Sequence, residues 1–559
     1  MNKTWVAGVP GTVVGSNRAV AAAALIGAAW LRRRALLAPM LGALLVTGCT
    51  VGPDFQRPGA PDVSSYGAHP VTATGATAHS AGGNAQHFIR GGDIPGDWWT
   101  LFHSSALNAL IAQSLANNAD LKAAQAALLV AHETTLAQRG ARYPSVAAGF
   151  SASRQQDPPG ALAPVPSNNA FLYNLFTPQV SVSYAPDLFG LNRRTQESAQ
   201  AQEQAVRFQT IATQVTLSTN VVLAAVQQAS LRAQVDATLQ LVDINDKMLQ
   251  VLRYQLAKGY VGRLDVAAQE SQLAQVNATL PPLRKQLAQQ NHLLAVLAGQ
   301  LPSQSAAPTF ELSSLQLPQD LPLSLPSILV AQRPDVRQAE ADMHAASAQI
   351  GVAIANRLPN ISLTANAGST ALAIGQVFKT GTGFWNLGAD IAVPIFQGGA
   401  LRHQQRAAQA AYVQAAAQYR STVLTAFQNV ADTLVALEQD ADGLRAAAAA
   451  AKAAQVTLDL SQRQLRDGYA SYLTVLSAEQ AYQQTQLALV QAQAERYSDT
   501  AALFQALGGG WWHRAGSTRD GAQPAAAKPV AANRSGAGQV AAKQAGTRPA
   551  EPIQDTDEQ

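Results

Sequence analysis

One ordered series of residues occurs twice along this chain, and a chain that repeats itself builds two copies of one structural unit. The stretch NNADLKAAQAALLVAHETTLAQRGARYPSV is echoed by QRPDVRQAEADMHAASAQIGVAIANRLPNI, and Asp120 to Pro144 spans the same distance as Asp335 to Pro359. Further on, RYQLAKGYVGRLDVAAQE (253–270) is echoed by QRQLRDGYASYLTVLSAE (462–479). In that pair Gln255, Leu256, Gly259, Tyr260, Leu264, Val266 and Glu270 find Gln464, Leu465, Gly468, Tyr469, Leu473, Val475 and Glu479. The two units span 97–300 and 327–510, joined by a Pro- and Ser-rich linker at 301–326.

Within each unit the hydrophobic period changes in a fixed order. Leu107, Leu110, Ile111, Leu115, Leu121 and Leu128 keep helical spacing, and the helix they predict ends before Pro144. PSVAAGFSAS and PQVSVSYAPDLF then alternate apolar with small or polar residues, the signature of strands with one apolar face. The Pro-, Gln- and Asn-rich stretch from Arg154 to Thr177 reads as the loop between them, carrying Phe171, Tyr173 and Phe176. In the second unit PNISLTANAGS and FWNLGADIAVPIF alternate likewise, with Phe384 and Trp385 as candidate interface anchors. From Gly190 to Ala257 there is no proline, and a helix that long would measure roughly 100 Å. Helices of such length persist by lateral packing. A glycine-containing turn follows, then a second helix to about Gly299 that Pro281 and Pro282 should bend or break. The fold class is thus α+β, with tandem helix-strand-strand-long-helix halves.

Composition narrows the function. Charged residues are only 13% of the chain, and 39 Lys and Arg nearly balance 35 Asp and Glu. No basic stripe suggests a nucleic-acid partner. The nine His are scattered without paired-ligand spacing, and no phosphate-cradling GxxxxGK[ST] occurs. The reading is of no enzyme, no metal site and no cofactor. The GGG at 508–510 closes a helix as a cap. Trp98, Trp99, Trp511 and Trp512 read as packing residues.

Cys49 is the one cysteine, which rules out an internal disulfide. Arg32, Arg33 and Arg34 precede an apolar run, Ala35 to Val46, of signal-peptide length, and Thr47 and Gly48 lead into the cysteine. This resembles a bacterial lipoprotein signal, which implies cleavage before Cys49, acylation of Cys49, and sorting to the outer membrane with Thr50 behind it. Residues 1–48 are then leader, either unusually long or with a true start codon further in. Residues 49–96 read as an acylated, extended segment, and 513–559 as a disordered tail.

Four alternating strands of about ten residues suit a tilted span of a membrane, although such segments also occur in soluble proteins. A four-stranded sheet in lipid would leave open edges, so several chains would have to share a closed barrel. In order, CTVGPDFQRP, WWTLF, LNALIAQSLANNADLKAAQA, YPSV, DLFG, RPDVRQAEADMHAASAQIGVAIANRLPNISL and PIFQGG resemble the TolC-like outer-membrane efflux proteins of the acylated NodT type. The resemblance covers residues 49 to 510. It implies a homotrimer with a twelve-stranded outer-membrane barrel continued by a periplasmic helical barrel. It implies a passive exit duct for drugs or small metabolites, working with a periplasmic adaptor and a proton-driven inner-membrane transporter. A duct for an ATP-driven protein or peptide exporter, or a structural envelope lipoprotein, are the other readings. On the same resemblance Leu264, Asp265, Arg263, Leu473, Thr474 and Ser477 are candidates for the periplasmic aperture. Gly259, Tyr260, Gly468 and Tyr469 are candidates for the tip that meets the adaptor. An Arg-Tyr pair that locks the family's gate falls on Gln464 and Leu465, so that lock does not carry over.

Overall fold

The structure, a computed structural model, describes residues 50–67, 71–158, 160, 171–304, 308–514. The leader, Cys49 and the tail from residue 515 lie outside the described residues.

The duplication is visible in the element lengths. Helix α1 (Ser105–Asn117) and α2 (Ala119–Gly140) lead to strands β2 (Ser145–Gln156) and β3 (Leu172–Tyr184), then to α3 (Leu191–Ala257) and α4 (Arg263–Leu297). In the second half α5 (Pro326–Gln332) and α6 (Pro334–Ala355) lead to β5 (Asn360–Ser369) and β6 (Gly383–Ala392), then to α7 (Ala400–Arg466) and α8 (Tyr472–Ala506). Three of the four corresponding helix pairs have equal lengths: α2 and α6 have 22 residues, α3 and α7 have 67, α4 and α8 have 35, whereas α1 has 13 and α5 has 7. Each 67-residue helix is about 100 Å long. Helix α3 is supported on several sides, by α2, α4, α6 and α8, whereas α7 packs against α6 and α8.

Helix α4 runs through Pro281 and Pro282 without a break. Both prolines lie on its exposed face, where water can satisfy the carbonyls their missing N–H groups leave free.

The core lies midway along the long helices. Trp98, Phe102, Tyr497 and Phe504 are buried there, with Trp98 stacked on Phe504 at 5.0 Å between ring centroids. Around them pack Val221, Ala225 and Ala229 of α3 and Val430 and Leu437 of α7. Trp511 donates from Nε1 to the Gln332 carbonyl at 2.7 Å, and Trp512 to Asp93 Oδ1 at 3.0 Å. The four tryptophans therefore pack, as the sequence suggests. His513 and Arg514, at the start of the expected tail, are held too, by Asp93 at 2.6 Å and the Gly96 carbonyl at 2.9 Å. This joins the residues just after the second unit to those just before the first.

Two further short strands, β1 (His87–Arg90) and β4 (Asp320–Leu323), pair in parallel. The N-terminal segment and the inter-unit linker thus grip each other. Arg496, fully buried, donates to the carbonyls of Gly82, Asn84 and Leu437 and to Thr74 Oγ1, fastening the same segment to α8.

The large sheet has the order β2-β3-β5-β6, antiparallel throughout. Tyr173 and Phe176 belong to β3 rather than to the loop the composition suggested, while Phe171 stays just outside it. The reason is the pairing: β2 extends to Gln156, and its ladder draws Leu172 and the residues after it into register despite Pro178.

Candidate functional site

In the sheet, register aligns one apolar face. Val146, Ala148 and Phe150 of β2 lie beside Val182, Val180 and Pro178 of β3. Val182 and Val180 pair with Ala365 and Ala367 of β5, which in turn pair with Leu387 and Trp385 of β6. Side chains alternate between faces, so the opposite face carries Ser181, Ser183, Thr364, Asn366, Asn386 and Asp390. Phe150, Val146, Leu387 and Trp385 are exposed, and no layer of the described chain covers this face. Strands β2 and β6 each have a single partner among the described residues, leaving two open edges.

At the foot of the sheet the strands turn directly into the long helices. Asp187 of DLFG accepts from the N–H groups of Asn192 and Arg193 at 3.1 and 2.8 Å, placing a carboxylate on the positive end of α3. Here the residues after Cys49 are fastened. Val51 N–H donates to the Phe189 carbonyl at 3.1 Å, and Arg193 Nη1 donates to Thr50 Oγ1 at 3.4 Å. Buried Arg194 donates to Val51 O, Gly52 O and Asp54, and also holds Glu197 at 2.7 Å. The Phe55 ring stacks on His344 at 4.4 Å, and Arg57 meets Glu340 at 3.1 Å. Gly52 passes so close to Gly351 that a Cβ on it would lie 2.4 Å from that glycine's Cα. The VGPDFQRP stretch is thus a strap across α3 and α6.

At the far end of the helices are the two turns. After α3, Gly259 N–H donates to the Leu256 carbonyl and Tyr260 N–H to the Gln255 carbonyl; after α7, Gly468 donates to Leu465 and Tyr469 to Gln464. Both are Schellman caps, with glycine in the left-handed region at φ 78° and 81°. Tyr260 and Tyr469 project outward, 79% and 87% exposed. Asp265 Oδ2 accepts from Gly262 N–H at 3.0 Å at the start of α4, and the equivalent Thr474 meets Ser471 at 3.0 Å at the start of α8. Ser477 donates to the Leu473 carbonyl at 3.0 Å. Leu264, Leu473 and Arg263 are exposed. Leu465 packs against the small apolar clusters at the tip.

Sequence reasoning missed what ties the two hairpins together. Tyr472 hydroxyl donates to Gln269 Oε1, Gln269 Nε2 donates to the Asn245 carbonyl at 2.8 Å, and Gln480 Nε2 donates to Gln272 Oε1 at 3.0 Å. A signal existed: Tyr472, Asn245 and Gln269 break the repeat, standing against Arg263, Ala454 and Ala478. Between α3 and α7 near the tips runs a groove of about 540 Å³ lined by Ile244, Met248, Val251, Leu458, Leu465 and Tyr482. No grouping of His, Cys, Asp and Glu fit for a metal occurs among the described residues.

The family model described as outer membrane efflux protein matches residues 110–300 and 325–509. The chain belongs to that family. Among relatives, the toluene efflux pump outer membrane protein TtgC of Pseudomonas putida is 31% identical over 489 residues, covering 86% of this chain and 97% of TtgC. The cation efflux system protein CusC of Escherichia coli is 27% identical over 475 residues, covering 85% and 98%. Among solved structures, the outer-membrane channel OprN superposes with a TM-score of 0.73 at 27% identity, covering 83% of this chain and all of OprN. As an outer membrane efflux protein the chain is the outer-membrane component of an efflux pump. It is an exit duct extending into the periplasm, and the relatives are channel proteins rather than enzymes.

Proposed function

We propose that three copies of this chain close their four-stranded sheets into one twelve-stranded barrel, with the long helices continuing it as a tube. The observation that carries this reading is the sheet: one continuous apolar face, and two open edges that a bilayer would not satisfy. Apolar surface flanks both edges. Tyr143 is exposed just before β2, and Ile395 and Phe396 just after β6, at 94% and 87% exposed. A second copy set edge to edge would cover both.

Acylated Cys49 anchors the barrel's periplasmic rim, since Thr50 is tied to the corner where β3 gives way to α3. At the tips, Leu264 and Leu473 from each copy ring the aperture. Asp265 caps the start of α4 beneath them, Thr474 holds the Ser471 hydroxyl and Ser477 bonds the Leu473 carbonyl, with Arg263 at the rim. A periplasmic adaptor docks around Tyr260 and Tyr469, with Gly259 and Gly468 shaping the turns that present them. A proton-driven inner-membrane transporter supplies energy and substrate choice. The cargo is drugs or small metabolites; relatives named for toluene and for cations fit a wall that does not choose its cargo.

The test is crosslinked pull-down from membranes with mass spectrometry. An adaptor with a proton-driven transporter is expected. An ATP-driven exporter would move the reading to peptide or protein secretion, and no inner-membrane partner would overturn it.

A further inference from the structure

Glu479 is 1% exposed, on the same buried face of α8 as Tyr472, Val475 and Ala478. Neither of its carboxylate oxygens has a hydrogen-bond partner among the described residues. Its counterpart in the first unit, Glu270, is treated in the opposite way: it is exposed and pairs with Arg253 at 2.8 Å, across the α3–α4 hairpin. The position equivalent to Arg253 is Gln462, so the second hairpin keeps the carboxylate and loses its cation.

The site lies where the two hairpins join. Within two turns of α8, Tyr472 reaches Gln269 and Gln480 reaches Gln272, the side-chain ties from α8 to α4 near the tips. The charged groups on the surrounding helices are paired with one another, used at a helix start, or exposed. On α3, Lys247 holds Asp243 at 2.6 Å, Asp246 takes Gln250 at 2.7 Å, and Arg253 takes Glu270 of α4. On α4, Asp265 caps its own helix and Arg263 is exposed. From α7, Asp459 and Arg466 face the groove beside Lys247, and Arg463 and Asp467 belong to the helix end. On α8 itself Tyr472 and Tyr482 are the titratable neighbours, and burial pushes the Tyr472 hydroxyl upward. None of these donates to Glu479.

We propose that Glu479 is a proton-operated latch that seats the α7–α8 hairpin against α3–α4 when neutral and releases it when ionised. The inference rests on the reading of these turns as the duct's inner aperture. A buried carboxyl without a donor is tolerated as the acid and costly as the anion. Burial pushes the Glu479 carboxyl up from its ordinary 4.5 to about 7. A group whose pKa is raised in the seated form favours that form at low pH, and the advantage is lost as pH rises through about 7. Between the ordinary carboxylate range and that value the ratio of seated to released forms falls by up to about tenfold per pH unit. The first hairpin has no buried carboxyl at this position, because Glu270 is exposed and paired with Arg253.

The test is pulsed electron resonance on the full chain in lipid, with spin labels at Y260C and Y469C in a Cys49→Ala background. With native Glu479 the distance between labels lengthens or broadens from pH 5 to pH 8.5. E479Q holds the pH 5 distribution at both values, and E270Q leaves the change intact. Identical distributions at both pH values in the native chain overturn the latch, as does an equal change in E479Q. If E479Q fails to assemble, the native comparison still decides. Ion conduction of the same preparation in planar bilayers, at one pH, separates the two readings: conduction without a distance change refutes the latch and leaves the duct.

Discussion

Gly468 sits at φ 81° with open space around the position a Cβ would take, so only backbone strain opposes a larger residue there. Gly468→Ala should therefore cost about 1 kcal/mol locally without any clash. The cost should show as faster hydrogen exchange at Tyr469 and the last turn of α7, with the rest of the chain unaffected. Unchanged protection at that turn would mean the Schellman hydrogen bonds from Gly468 and Tyr469 do not hold it. The same scale explains why the tip residues singled out from the sequence divide in two. Leu264, Leu473, Tyr260 and Tyr469 are exposed and available to a partner. Asp265 caps its helix, Thr474 meets the Ser471 hydroxyl and Ser477 back-bonds to the Leu473 carbonyl, so each already has a local partner. Their types were visible in the sequence, but which hydrogen bond each makes was not.

At the scale of elements, the N-terminal segment is held by one short parallel ladder, β1 on β4, and by a few buried polar contacts. Arg496 is the densest of these, with three carbonyls and a hydroxyl accepting from one guanidinium. Arg496→Met keeps much of the volume and removes every donor. It should expose residues 74–86 to limited proteolysis while α8 remains protected, and equal resistance to protease in the variant would contradict the role assigned here. The helices were legible because long proline-free polar runs with spaced Val and Leu leave few alternatives, and because each had a second copy to check it against. Strands β1 and β4 were not, since four residues are too few to display alternation and each exists only because the other is there. Pro, Gln and Asn around Tyr173 and Phe176 signal a turn, whereas the partner strand decides the pairing. Glu479 could be seen as a repeat of Glu270, but its burial depends on the neighbouring hairpin and its missing cation on Gln462, neither of which periodicity reports.

For the whole molecule, the account turns on a wall that a single chain leaves unfinished. The four strands set an apolar face on one side and a polar face of Ser, Thr, Asn and Asp on the other, and both edges end without a partner among the described residues. The corner residues Ile395 and Phe396 remain outside any core of their own chain. Long helices that begin at the strand ends carry the same wall about 100 Å further, toward two capped turns. Each of these features is costly in a lone chain and is relieved when copies meet edge to edge around an axis. The most direct measurement is native mass spectrometry of the protein extracted from outer membranes in mild detergent. The account predicts an assembly of three chains that persists as the detergent is stripped; a chain that is released as a monomer, with its sheet edges unshared, would contradict it.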